Sequence, residues 1–195
     1  MTSLPHSIEQ ILRRSGAMHS SHSGRTLFEH LLGTYLLLKE WGQPEPVCLA
    51  GLFHSIYGTN VFALPLPMQR TEVKEAIGAE AEELAWLFCV VERPKAIVQG
   101  LQNQTPFGAN LATRRDLGMD TPRSVAVNPR QMRALAEIEC ANLMEQGSWG
   151  NSLRKFYCIA TDRSDMLSPL TISALSKGWA SHLKAQKSQH HEVQA

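Results

Sequence analysis

The stretch from Thr26 to Gly58 constrains the fold most, because its punctuation leaves the chain few choices. Thr26-Leu27-Phe28-Glu29 reads as a capping box, in which the Thr26 hydroxyl and the Glu29 carboxylate each satisfy an amide left free at a helix start. A helix from about Leu27 to Trp41 follows, with Gly42 placed to end it and Pro44 to prevent its continuation. A second helix starts near Pro46 and runs to Tyr57, where Gly58 stops it. Two helices joined by so short a link must lie antiparallel, which sets the start of the first beside the end of the second. His30, Thr34, Leu37 and Trp41 share one face of the first helix, and Val47, Ala50, His54 and Tyr57 one face of the second. The two imidazoles therefore point inward at adjoining helix ends and can meet.

The remaining segments supply further helical layers. A helix spans Thr71 to about Val91 with a break at Gly78, and Pro94 ends it. Asn128-Pro129 opens another, with Asn as cap and Pro at the first position, carrying Met132, Leu135, Ala136 and Leu143 inward. Glu139 and Asn142 fall three apart on it and can project into a pocket, although they read more simply as solvated polar residues. A helical run from Leu153 to Ala160 precedes Asp162, and Pro169 starts a last helix with Leu175 and Trp179 inward. The tail from about Ala185 to Ala195 is polar and reads as frayed. Between residues 102 and 127, Arg123-Ser124-Val125-Ala126-Val127 alternates enough for a short strand or hairpin, in a segment long enough to act as a lid.

This pattern predicts an all-α fold, a helical bundle with a possible short β-hairpin insertion. At 195 residues with 43% hydrophobic content the chain suits a single domain, its core from about residue 25 to 183. A formal charge of +1 without a basic run argues against nucleic-acid binding, and no segment has the length needed to cross a membrane. Cys48, Cys89, Cys140 and Cys158 stand singly among apolar neighbours and read as buried thiols in a reducing cytoplasm.

Asp162 ends an apolar helix, and a buried carboxylate needs partners, which a metal, Arg163 or Arg154 can supply. The order of a histidine on one helix, a histidine closing an Ala50-Gly51-Leu52-Phe53-His54 run about two dozen residues later, and an aspartate in Ala160-Thr161-Asp162-Arg163 resembles the HD-domain superfamily. That resemblance implies an all-helical metal enzyme, most often a phosphohydrolase, whose pattern is His, then His-Asp, then Asp. On it His30, His54 and Asp162 would be the metal ligands. Ser55 departs from the pattern, standing where the family has the aspartate that ligates or bridges metal, so the chain looks like a divergent branch with His-Ser in place of His-Asp.

Stringent-response hydrolases of the superfamily follow the pair with two acidic residues, and Ile56-Tyr57-Gly58-Thr59 offers none, which disfavours that activity. Without a bridging carboxylate the expected cofactor is one divalent ion, Fe, Mn, Zn, Co or Ni, with open positions for water or substrate. His22 and His19, in the loop before the first histidine helix, can each add a ligand or an acid, and both read more simply as solvated loop histidines. Arg25 and Arg163, next to the expected ligands, are the candidates to receive an anionic small-molecule substrate. Arg93 and Lys95 flank Pro94 as further cations, while Arg114 and Arg115 read as solvated. Ser55 can bind substrate or orient His54. The resemblance thus implies a metal-dependent hydrolase of a small phosphorylated or anionic metabolite, with a mononuclear iron oxygenase or a non-catalytic binding protein as alternatives.

Overall fold

The computed structural model describes residues 4–22, 24–58, 68–117 and 122–192. Thr59 and part of the expected lid, residues 118–121, lie outside them, as do the last three residues of the tail.

Helices make up most of the described chain. They are α1 (His6–Arg14), α2 (Leu27–Glu40), α3 (Glu45–Leu52), α4 (Arg70–Ile77), α5 (Ala79–Val90), α6 (Lys95–Gln102), α7 (Pro129–Glu145), α8 (Asn151–Asp162) and α9 (Pro169–Glu192). Two short antiparallel pairs interrupt them: β1 (Ser21–His22) with β2 (Arg25–Thr26), and β3 (Ala109–Ala112) with β4 (Ser124–Val127). The fold is all-α with a short hairpin, as the periodicity predicts.

The caps are where the sequence puts them. Thr26 and Glu29 exchange bonds in a full capping box at the start of α2, and Asn128 and Gln131 do the same at α7. Gly42 and Gly78 take positive φ of 68° and 85°, ending α2 and separating α4 from α5. The second histidine helix, however, is shorter than expected. It closes at Leu52, where the Phe53 amide lies within reach of both the Ala50 and Leu49 carbonyls and the chain enters turns through Tyr57. Residues 95–102, which carry no cap signal, form α6.

α7 is the central helix, packed against α2, α3, α5, α6, α8 and α9. Its unbroken buried run from Ala134 to Asn142 follows from being covered on all sides. The β3–β4 hairpin is seated on α6 through Leu111, which approaches Gly100 so closely that a Cβ there would lie 2.4 Å from Leu111 Cδ2. Bonds from the Glu92 and Arg114 amides to Ala112 and Val90 tie the hairpin to the end of α5. Cys48, Cys89 and Cys140 are buried, but Cys158 is exposed on the outer face of α8. Among the described residues no helix is long and apolar enough to cross a membrane.

Candidate functional site

The antiparallel packing of α2 on α3 brings His30 and His54 together. His30 sits in the first turn of α2 and His54 in the turn after α3, each 1% exposed. Their rings meet edge to face with centroids 5.0 Å apart, and the two Nε2 atoms are 3.2 Å apart.

Each imidazole is oriented from its other nitrogen. His54 Nδ1 donates to the Gly51 carbonyl at 2.7 Å, and a carbonyl can only accept, so that nitrogen carries the proton. His30 Nδ1 is hydrogen-bonded to Glu145 Oε2 at the end of α7, and Arg25 pairs with Oε1 of the same carboxylate. Arg25 also donates to the Glu145 carbonyl at 3.3 Å. Gly33 makes room for this carboxylate, since a Cβ there would lie 2.4 Å from Glu145 Oε1 and 2.8 Å from its Cγ. With both Nδ1 atoms turned to acceptors, the two Nε2 atoms face one another.

A third donor atom arrives from α7. Asn142, 2% exposed, sets Oδ1 3.1 Å from His30 Nε2. Burial raises the Glu139 pKa, and after Arg93 the Asn142 side chain works against that rise, which its NH2 can do by donating, so the amide oxygen is left to face His30. Gln146 Nε2 donates to Asn142 Oδ1 at 3.0 Å and lies 3.4 Å from His30 Nε2. Two imidazole nitrogens and an amide oxygen thus converge at spacings that suit a cation. Two nitrogens bound at about 2.0–2.1 Å to one tetrahedral ion stand about 3.3 Å apart. Both Nδ1 partners are of the kind that orient ligating histidines.

Glu139 is wholly buried one turn before Asn142. Its Oε2 accepts from Arg93 at 3.4 Å, while among the described residues Oε1 has no hydrogen-bond partner. Burial raises its pKa, and the nearby Arg93 guanidinium offsets only part of that. The Arg93 guanidinium also lies 4.4 Å from the centroid of the Phe88 ring, whose other neighbour is His54, at a ring-centroid distance of 5.4 Å. His30, His54, Phe88, Arg93, Glu139 and Asn142 therefore form a closed circuit of contacts.

The other candidates from the sequence are placed differently. Asp162 and Arg163 are exposed at the C-terminal end of α8, a helix packed on α6, α7 and α9, and Arg163 donates to the Leu101 carbonyl. The expected triad is therefore not assembled, and among the described residues no group of three or more His, Cys, Asp or Glu side chains is arranged to hold a metal. The aspartate comes at the very end of its helix, where the apolar face no longer directs it inward. Arg25 lies near His30, but its charge is matched by Glu145. His22 lies in β1 opposite Arg25, and His19 is exposed. Ser55 is buried, 4% exposed, in the turn beside His54. Arg114 is not solvated: it donates to the Gly58 and Cys89 carbonyls.

Glu145 is the site residue that sequence reasoning missed, and Glu139 and Asn142, whose simpler reading was solvated, are instead buried and project inward. One signal existed, the glycine inside a strong helix at position 33, one turn from His30, which marks a close approach.

Residues 11–93 match a family model described as a domain of unknown function (DUF6817). The match covers less than half of the chain, and it takes in both histidines but stops short of α7. No curated protein and no solved structure matches the chain.

Proposed function

We propose that the chain is a metal-dependent hydrolase of the HD type, acting on a small anionic metabolite at a mononuclear site formed by His30, His54 and the Asn142 side-chain oxygen. One observation carries this reading. Both Nδ1 atoms are committed to acceptors, so in a buried place His30 Nε2 lies 3.2 Å from His54 Nε2 and 3.1 Å from Asn142 Oδ1. A divalent ion in place of the donors that link these atoms, Gln146 Nε2 among them, would draw on all three as ligands. A divalent ion bound there would have open positions and would bring the pKa of a bound water down to about 7, the usual route to hydrolysis at neutral pH. Glu145 and Gly51 orient the rings from their Nδ1 atoms, and Arg25 pairs with the Glu145 carboxylate and holds it in place.

A mononuclear iron oxygenase is the less favoured reading, because the third donor beside the histidines is an amide and the iron facial triad uses a carboxylate. The test is elemental analysis of protein purified without a metal-binding tag. The expected content is close to one divalent ion per chain, lost in His30→Ala, His54→Ala and Asn142→Ala and retained in Asp162→Ala. A folded wild-type protein that takes up no Mn, Fe, Co, Ni or Zn would overturn the reading in favour of a non-catalytic binding protein.

A further inference from the structure

Arg114 and Arg115 are neighbours in the chain with opposite surroundings. The Arg114 side chain turns inward, donates to the Gly58 and Cys89 carbonyls and pairs with Asp116. Arg115 is exposed, and together with Arg123 and Glu92 it lines a cavity of about 420 Å³ whose remaining wall is Ala112 and Thr113. Small-molecule sites have volumes of this order. Among the described residues, none of the three charged side chains on this cavity makes an ion pair or a hydrogen bond. Two cations and an anion thus face one small space without using one another.

The backbone keeps them apart. The Glu92 amide donates to the Ala112 carbonyl at 2.9 Å and the Arg114 amide to the Val90 carbonyl at 2.8 Å, while on the other side the Thr113 amide donates to the Arg123 carbonyl at 3.1 Å. Three extended rows therefore lie side by side, with Glu92 on one outer row and Arg123 on the other. Neighbouring rows of this kind are spaced by about 4.8 Å, which sets the two backbones about 10 Å apart. The short side chain of Ala112 on the middle row leaves the space between them open.

We infer that this cavity binds a free α-amino acid, whose carboxylate accepts from Arg115 and Arg123 and whose ammonium group donates to Glu92. Guanidinium forks suit a carboxylate, and a carboxylate suits an ammonium. A plain carboxylic anion would put a second negative charge beside Glu92, and a plain amine would face two guanidinium groups. A zwitterion satisfies both ends. None of the five lining residues is among the donors placed round His30 and His54, so the inference stands apart from the metal reading and adds a second ligand class to the chain.

Amide NMR titration of the full chain with glycine, and with acetate and ethylamine as its two halves, tests this at pH 7. The protein is first treated with chelator and dialysed, since glycine ligates metal ions and would otherwise report on the histidine site. Glycine is expected to bind at least about tenfold tighter than either half, because each half forgoes a charge-assisted contact. The shifts are expected at the Thr113, Arg115 and Arg123 amides. In Glu92→Gln, affinity for glycine should fall about tenfold while affinity for acetate is unchanged or higher, as the like charge beside it is gone. The double variant Arg115→Gln/Arg123→Gln should lose glycine and acetate together while keeping its circular dichroism. Glycine binding no tighter than acetate or ethylamine, shifts confined to other parts of the chain, no binding at millimolar concentration, or an equal loss of acetate and glycine in Glu92→Gln would overturn the inference. The wild-type comparison of the three ligands uses no variant, so it decides the matter even where a variant fails to fold.

Discussion

Gly33→Ala sets two effects of opposite sign against each other. By helix propensity alone the change stabilises, since Ala is better than Gly in a helix interior by about 1 kcal/mol. The structure reverses that. A Cβ at this position would lie 2.4 Å from Glu145 Oε1, 2.8 Å from Cγ and 2.9 Å from Cδ, so it meets the whole end of the side chain. Ordinary contact is near 3.5 Å, and Glu145 must retreat by about 1 Å. That breaks its bond to His30 Nδ1, which is buried. A hydrogen bond to a charged partner contributes about 1.5–3 kcal/mol, and an orphaned buried donor costs about 1–3 kcal/mol. With the propensity gain subtracted, Gly33→Ala should be destabilised by about 0.5–2 kcal/mol, read as a lower urea midpoint at unchanged slope. The affinity for divalent metal should fall about 10–100-fold with the loss of the oriented Nδ1–H. Stabilisation of Gly33→Ala near the propensity value, with metal uptake unaffected, would refute both the seat of Glu145 and its role in orienting His30.

Asn142→Asp should bind a divalent ion at least about tenfold tighter than the wild type, because it adds an anionic oxygen to a neutral donor set, yet lower the melting temperature of the metal-free protein by placing a second carboxyl beside Glu139; calorimetric melts with and without metal check both signs. Thiol labelling of the native protein should modify Cys158 quickly and Cys48, Cys89 and Cys140 only on unfolding, since burial raises the pKa of Cys48 and Cys89 to about 11 and pushes that of Cys140 well above the ordinary thiol value; a second fast thiol would contradict the packing of α3, α5 or α7. Glu137 is also raised by burial, so the folded state holds its proton more tightly than the unfolded chain: its contribution to stability is full below the ordinary value of 4.5 and is lost as pH rises through the higher folded value, and Glu137→Gln should flatten that decline in urea midpoints measured from acid to neutral pH.

Most of the fold was legible where a residue carries its own conformational reason. Thr26 and Glu29, Asn128 with Pro129, and Gly42 and Gly78 fix their helix ends through local chemistry, and the structure keeps all of them. The end of α3 was not legible, because Phe53 to Tyr57 continue the apolar pattern while the backbone tightens into turns. Helix α6 lacked any polar cap to announce it, and its buried Ala96, Ile97 and Leu101 belong to contacts with α7, α8 and the hairpin that are distant in sequence. The outward turn of Cys158 and Asp162 follows from the last turns of α8 lying on the surface, which apolar neighbours in sequence do not reveal.

The site was half legible for a related reason. His30 and His54 could be paired from the short connection between α2 and α3, since antiparallel geometry converts sequence distance into proximity. Asn142, Glu139 and Glu145 could not, because α7 is covered on all sides and the rule that polar residues face water fails along it. The charges settle accounts in a way that composition hides: Glu145 is matched by Arg25 and Glu139 by Arg93, while the three atoms that converge, from His30, His54 and Asn142, are all neutral when the rings are. A dication placed there would meet no anionic ligand and would keep its full charge, unlike one held by a His-Asp pair. The missing negative charge would then have to come with the substrate. That is why a neutral Ser55 and a neutral Asn142 need not silence such a site: they would shift its requirement from a carboxylate of the protein to an anion from solution, and make occupancy by metal and by anion mutually reinforcing.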